Sequence, residues 1–248
     1  MEYKDLRFKF AQLSGRYDLV NDDLTDAGAD FFINAGQKML DRSMNTGKMI
    51  GKSVQSVAAG TAIVKCTGLR AVKGVWIGTT ATGLTKLIPY PLDVLRNFYE
   101  SSISTIDQGA PVYYSPAVFR PIPDTQLAAG WSGYYDIDDL LLANNHYTYN
   151  GILLWPTPDQ TYYVSISALF YSPTLTATLL AGTWTQTKSY WSEVHEDLLL
   201  YASLYKLESF YRNTEGVKDW KGVLGFDLGE LDKDAAEEEG ADINEMGG

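Results

Sequence analysis

The chain has 248 residues, which suits one large domain or two small ones, and its formal net charge is −11 at pH 7. This acidic balance does not support a basic nucleic-acid-binding surface over the molecule as a whole. With two histidines and one cysteine, the chain has too few ligands for a structural zinc site, and Cys66 has no partner for an intrachain disulfide. The lone cysteine and the charged N-terminal stretch MEYKDLRFKF favour assembly in a reducing cytoplasm without a signal peptide.

Residues 1–50 are predicted to form two helices. Apolar residues recur at helical spacing from Tyr3 onward, and Gly15 is a natural stop. A second helix is expected over about residues 26–44, because Asp26 is a good cap and an apolar stripe follows it. The stripe consists of Ala29, Phe32, Ile33, Gly36, Leu40 and Met44.

A β-rich domain is expected over residues 51–188, inserted between helical segments. Short β-prone runs such as GTAIVKCTG, PVYYSPAVFRPIP and TYYVSISALFY are separated there by glycine and proline. A short helix near residues 91–103 interrupts them, since Pro91 suits a first helical turn and apolar residues beyond it share one face. Residues 124–150 are predicted to form a long loop or insertion.

A further helix is predicted over residues 189–214, within SEVHEDLLLYASLYKLESF. A zinc-protease helix needs a second histidine four residues after the first, but Leu199 occupies the position that pairs with His195. His195 is therefore interpreted as a polar residue of the first turn, where Ser192 is the expected cap. No catalytic residue, cofactor site or metal ligand is assigned.

Apolar residues on two sides of this helix predict that it is buried on two sides. One stripe consists of Val194, Leu198, Tyr201 and Tyr205. The second stripe is predicted to contact a neighbouring subunit, and its members are Leu200, Leu204, Leu207 and Tyr211.

Residues 215–248 are expected to be an extended, mobile segment that ends in an acidic tail. Nine acidic residues and one lysine lie between Asp227 and Glu245, a net charge of −8. Few apolar residues follow Leu231, so little surface is available to offset the entropy of ordering. The acidic run is typical of a solvated helix face or a loose tail, and the sequence leaves both open.

The stretches DFFINAGQKMLD, GAPVYYS, ILLWPTPDQTYYVSISALFYSPTLT and YWSEVHEDLLLYASLYKLESFYRN follow one another along the chain. In this order they resemble the head–tail adaptor (connector) proteins of tailed bacteriophages. The most specific part is a Pro-Asp hairpin strand followed by a Trp-x-x-x-His-x-Asp-Leu-Leu-Leu-Tyr helix.

The resemblance implies an α+β fold, in which a small helical bundle carries an inserted antiparallel β-rich domain. It implies a virion structural protein that is assembled in the host cytoplasm and forms a dodecameric ring beneath the portal in the neck. The ring would extend the DNA channel and connect the head to the tail. No catalysis, cofactor or membrane is implied.

The implied partners are the portal protein, further copies of the chain, and downstream tail, stopper or nozzle proteins. DNA would pass through the lumen without specific binding. The segment after residue 215 is expected to reach the portal, and its docking candidates are Trp220, Val223, Leu224, Phe226, Leu228 and Leu231.

Other functions remain open at this point. A stopper or tail-completion protein is a close variant of the adaptor, and a hydrolase would need a carboxylate pair that no spacing singles out. Helices on both sides of the β region favour the adaptor over a carbohydrate- or receptor-binding module, because such modules are usually β throughout. The aromatic platform of that module would be Trp131, Tyr134, Tyr135 and Trp155.

Overall fold

The chain forms two compact units. One combines Met1–Lys48 with Tyr171–Gly248 and is mainly helical, and the other is Met49–Phe170 and is mainly β-sheet. The helices and the largely antiparallel sheets confirm the predicted α+β class. The computed structural model describes residues 2–43, 50–66, 68–80, 82–100, 108–119 and 149–245. Within these ranges, no helix has the length and apolar character needed to cross a bilayer.

The described residues run from helices through short strands and back to helices. The helices are α1 (Tyr3–Ser14), α2 (Ala29–Ser43), α3 (Leu92–Glu100), α4 (Tyr190–Val194), α5 (Glu196–Phe210) and α6 (Thr214–Glu245). The strands are β1 (Ile50–Val57), β2 (Ile63–Lys65), β3 (Leu69–Gly78), β4 (Thr85–Lys86), β5 (Ile88–Pro89), β6 (Gln108–Gly109), β7 (Tyr113–Phe119), β8 (Tyr149–Trp155), β9 (Thr157–Pro158), β10 (Tyr162–Phe170), β11 (Ala177–Leu180) and β12 (Thr183–Gln186).

The core of the helical unit forms around α5, which packs against α1, α2 and α6. At Gly36, the backbone of α2 lies directly against the backbone of α5. A Cβ added there would lie 2.7 Å from the backbone nitrogen of Ser203 and 2.9 Å from the carbonyl carbon of Ala202. Only glycine therefore lets α2 and α5 come this close. Other buried members of this core are Leu6, Phe10, Phe32, Ile33, Leu40, Trp191, Leu198 and Leu199.

Residues 171–188 belong to the helical unit, although the sequence pattern predicted a β-rich domain over 51–188. Their β11–β12 hairpin agrees with the β-prone sequence. Their place follows from polar contacts with α2: Asn34 accepts a hydrogen bond from the amide of Leu175 at 2.8 Å and donates one to its carbonyl at 3.0 Å. Contacts between such distant segments leave no local pattern that a sequence analysis could detect.

The helix predicted over 189–214 is divided into α4 and α5 at His195, whose backbone is not helical (φ −132°, ψ 59°). Ser189 caps α4, in place of the expected Ser192. The Ser189 hydroxyl accepts a hydrogen bond from the Ser192 amide at 3.2 Å, and the Ser192 hydroxyl accepts one from the Ser189 amide at 2.9 Å. This reciprocal capping box satisfies two amides that the first helical turn would leave unpaired.

The C-terminal segment, expected to be extended over 215–248, is helical in α6, which covers Thr214–Glu245. Its Ala, Glu, Leu and Lys residues favour helix intrinsically. Packing adds to this preference, because Leu224 is 4% exposed and the Trp220 ring stacks on Tyr201 with centroids 5.6 Å apart. The acidic run therefore lies on a helix.

Two four-stranded sheets and the short parallel pair β6–β9 form the sheets of the β unit among the described residues. The first has the order β1-β10-β3-β4 and is antiparallel, and the second has the order β2-β8-β7-β5 with one parallel pair, β5–β7. Apolar side chains of both sheets share one core. Among them are Val57, Val64, Val75, Ile77, Tyr114, Ile152, Leu154, Val164 and Ile166.

The outer faces of the two sheets differ. Leu95 of α3 is fully buried beside Leu153 of the second sheet, so α3 covers that face. Part of the outer face of the first sheet is exposed to solvent, since its Val54 and Tyr163 are 57% and 40% exposed.

The predicted insertion lies outside the described residues up to position 148, and so do Trp131, Tyr134 and Tyr135. The fourth residue of the aromatic platform considered above, Trp155, is described. Its ring stacks on Phe98 of α3 with centroids 5.2 Å apart, so Trp155 contributes to packing within the β unit.

Candidate interaction surface

His195 lies at the junction of α4 and α5, where it takes part in packing. Its Nε2 is 2.9 Å from the hydroxyl of Tyr190, and the centroids of the two rings are 5.2 Å apart. Its carbonyl accepts a hydrogen bond from the Leu199 amide in the first turn of α5. In the part of the chain that the structure describes, no three His, Cys, Asp or Glu side chains come together as a metal site. This geometry gives His195 a role at a helix start.

We expect His195→Ala to lower the free energy of unfolding by about 1 kcal/mol, since it removes one partly buried hydrogen bond. The purified variant should keep its fold. Thermal unfolding followed by circular dichroism would measure the change. Stoichiometric zinc in the purified protein that disappeared with this substitution would contradict the packing role.

The single cysteine is buried in the core of the β unit. Burial raises the pKa of the Cys66 thiol to about 11, because the thiolate would lose its hydration there. The thiol is therefore neutral at pH 7. A neutral buried thiol is a poor nucleophile and metal ligand, so Cys66 acts as a small core residue.

The stripe of α5 predicted to contact a neighbouring subunit is mostly buried within the chain itself. Leu200, Leu204 and Leu207 are 6%, 1% and 2% exposed. Side chains already enclosed by their own chain have little surface left for a second subunit, so the structure assigns these three to the core. Tyr211, just after α5, is 47% exposed and remains available for a subunit contact.

The docking candidates on α6 differ in exposure. Leu224 is buried, whereas Val223 and Phe226 are 40% and 67% exposed. The half-buried members are Trp220, Leu228 and Leu231. Val223 and Phe226 are three residues apart and therefore neighbours on the helix surface. They are the candidates that a partner protein can reach most fully.

A second exposed apolar surface, which the sequence pattern did not predict, lies where α2 begins and α5 ends. Phe31 and Phe210 are 65% and 63% exposed, and both rings contact Phe32, with centroids 5.1 and 5.5 Å away. Phe210 also contacts Tyr211, whose ring centroid lies 4.5 Å from the guanidinium carbon of Arg16. We call Phe31, Phe210 and Tyr211 the aromatic patch.

A sequence signal for this patch does exist. Phe31 is not part of the apolar stripe of α2, and at 3.6 residues per turn it lies on the side of the helix opposite Ile33, Gly36 and Leu40. The stripe that the sequence predicts therefore leaves Phe31 facing outward.

The helical unit thus presents two exposed apolar surfaces and carries an inserted β unit. The family model described as "SU10 adaptor protein" matches residues 1–244. The chain belongs to the SU10 adaptor protein family. No curated protein matches it.

Membership of this family makes the adaptor a structural protein of a bacteriophage and a component of the virion. It confirms the resemblance found in the sequence. An adaptor acts by contacting other head or tail proteins, so the two exposed apolar surfaces are its candidate contact sites.

Proposed function

We propose that this adaptor forms a ring beneath the portal in the neck of the virion. The resemblance to head–tail connector proteins implies that the ring has twelve subunits. The ring would extend the DNA channel and connect the head to the tail. The observation that carries the proposal is the exposed side of α6 at Val223 and Phe226, on a chain of the adaptor family. Such a role requires no catalysis, and we propose that the protein is not an enzyme.

Val223 and Phe226 are the proposed contact with the portal. Covering exposed apolar side chains is favourable, and a few aromatic or aliphatic residues can carry most of the energy of an interface. The acidic run after Asp227 would add a long-range, salt-sensitive attraction to a basic surface on the portal.

The aromatic patch is the proposed contact with the neighbouring subunit. Subunits of a ring meet through two different surfaces, one from each copy. Large exposed aromatic side chains supply much contact area at a low cost in side-chain entropy. The patch therefore takes over the role that the sequence pattern assigned to Leu200, Leu204 and Leu207.

The net charge of −11 suits the proposed channel. An acidic wall repels the phosphates of a passing duplex, so DNA slides through without specific binding.

The double substitution Val223→Asp with Phe226→Asp should abolish binding to the purified portal protein. Two contact residues at the centre of an interface together carry enough energy for a loss of about 100-fold or more in affinity. Both side chains are exposed in the free chain, so the variant should fold normally. Co-sedimentation or interferometry with portal would measure the loss.

A matched control is Leu180→Asp, at a hairpin side chain that is 77% exposed. It introduces the same kind of charge on an exposed apolar residue, and portal binding should persist. Wild-type portal binding by the double variant would refute the docking site. Binding to a tail protein alone, with none to portal, would indicate a stopper or tail-completion protein instead.

A further inference from the structure

The outer face of the first β-sheet carries a shallow groove with a volume of about 320 Å³. Its lining combines a charged group, an aromatic ring and two hydroxyls. The lining residues are Lys52, Trp76, Leu84, Ser165 and Ser167. None of them belongs to the contact surfaces proposed above.

This sheet is basic, although the protein as a whole is acidic. Its four strands contain no acidic residue, and none occurs anywhere between Ile50 and Leu92. The basic residues on the strands are Lys52, Arg70, Lys73 and Lys86. Within the described ranges, Lys52 and Lys86 form no ion pair, so their charges are available to an anionic ligand.

The strand register places the two lysines on opposite sides of the outer face. Lys52 on β1 is opposite Ser167 on β10, and Lys86 on β4 is opposite Trp76 on β3. The two lysines are separated by three strand spacings across the sheet and by two residues along the strands, or about 16 Å between their Cα atoms. This distance can accommodate phosphates on either side of a ring that is held between them.

An aromatic ring occupies the position between the lysines. The Trp76 indole lies over Gly74, where an added Cβ would be 2.7 Å from the indole Cη2. The glycine therefore lets the indole lie along the sheet surface. The Lys86 ammonium lies over the indole, 5.7 Å from its centroid, so a base that stacks on this ring takes the place of the ammonium, which turns to a phosphate. Tyr163, 40% exposed, is on the same face two residues from Ser165, which is directly opposite Trp76.

One hydroxyl on the floor of the groove is left for a ligand. Ser165 is 3% exposed, and its side chain makes no hydrogen bond among the described residues. Every fully buried side-chain polar atom in those ranges does have a partner. The Ser165 hydroxyl is therefore accessible from the groove. A bound ligand can donate a hydrogen bond to it or accept one from it.

We propose that this outer sheet face binds single-stranded nucleic acid without sequence preference. Bases stack on Trp76 and Tyr163, and the ammonium groups of Lys52 and Lys86 contact the phosphates. Proteins that bind single strands commonly combine a positive groove with aromatic side chains, because every base offers a flat face. The four-stranded sheet with exposed aromatic residues is also a platform on which RNA-binding domains stack bases. The inference does not depend on the ring or on portal docking.

Other anionic ligands fit the groove less completely. An acidic polysaccharide would satisfy the lysines but offers no flat π-face to the two aromatic rings. Duplex DNA hides its base faces in the stack and presents only its backbone. Binding of an acidic polysaccharide or of duplex DNA is therefore measured beside binding of a single strand in the experiment below.

The experiment measures fluorescence anisotropy of a labelled oligothymidine of roughly 12 nucleotides, titrated with the full chain at low salt. An abasic strand of the same length and charge, a duplex and a sulfated polysaccharide are titrated in parallel. We expect the oligothymidine to bind on the order of tenfold more tightly than the abasic strand, because only the former can stack. Equal affinity for the abasic strand, the duplex or the polysaccharide would overturn the proposal.

Variants locate the binding on the sheet. Lys52→Gln with Lys86→Gln should weaken oligothymidine binding by on the order of tenfold and reduce the salt dependence, since two phosphate contacts disappear. The matched control, Lys218→Gln with Lys221→Gln on α6, changes net charge equally and should alter affinity by less than about twofold. Trp76→Leu keeps an apolar side chain and should erase the preference over the abasic strand. An equal loss of oligothymidine affinity in the two lysine double variants would refute the site. So would a Trp76→Leu variant that still prefers oligothymidine over the abasic strand.

Discussion

Asp30→Ala should destabilise the protein by about 3 kcal/mol or more, because it leaves a buried arginine charge without its partner. The Arg7 side chain is fully buried, and its Nε and Nη2 donate to the two carboxylate oxygens of Asp30, each at 2.8 Å. The Tyr3 hydroxyl donates to the same carboxylate at 2.7 Å. Chemical denaturation followed by circular dichroism would measure the change in the free energy of unfolding.

Asp18→Ala is the matched control. Asp18 also accepts two hydrogen bonds from one arginine, Arg16, both at 2.7 Å, but this pair is exposed to water. Exposed ion pairs contribute at most about 1 kcal/mol, so the control should stay close to wild type. Similar losses in the two variants would show that burial of Arg7 does not determine the effect.

Gly36→Ala should destabilise the helical unit by about 3 kcal/mol, near the upper end of overpacking effects. The new methyl group would lie 2.7 Å from the backbone nitrogen of Ser203, and backbone atoms cannot turn aside as a flexible side chain can. The helices α2 and α5 would have to separate. The midpoint and slope of urea denaturation report this loss of stability.

Replacing Gly222 of α6 by alanine should not lower the free energy of unfolding as Gly36→Ala does. Apart from its chain neighbours and the backbone of α6 itself, no described atom lies within 4 Å of a Cβ added at Gly222. Alanine favours a helix over glycine by about 1 kcal/mol. Gly222→Ala should therefore be neutral or stabilising. If Gly36→Ala were equally well tolerated, the close approach of α2 and α5 would not be a constraint on the fold.

Local periodicity predicted much of the helical unit. The second helix was expected over about residues 26–44 and is observed over Ala29–Ser43, because an apolar stripe and its cap are properties of a short stretch. The buried face of α5 was predicted for the same reason. Periodicity does not tell which chain covers an apolar face, and Leu200, Leu204 and Leu207 are covered by their own chain.

The remaining differences come from contacts between distant parts of the chain. The segment after Phe170 has β-prone residues, but α2 holds it in the helical unit through bonds such as those between Asn34 and Leu175. The helical state of α6 depends on packing of Leu224 and Trp220 in addition to composition. Composition alone did not decide whether the acidic run forms a helix or a loose tail.

The helical unit is assembled from the two ends of the chain, with residues 49–170 between them. The β unit is continuous in sequence and can fold as soon as it has left the ribosome, whereas α2 must wait for α5. During synthesis, the apolar stripe of α2 is therefore exposed until more than 150 further residues have been added. Closing so long a loop costs chain entropy before any helix contact is gained, so association of the two ends should be the slow step of folding. Newly made adaptor is consequently most prone to aggregation late in translation, after its β unit is complete and before its bundle has closed.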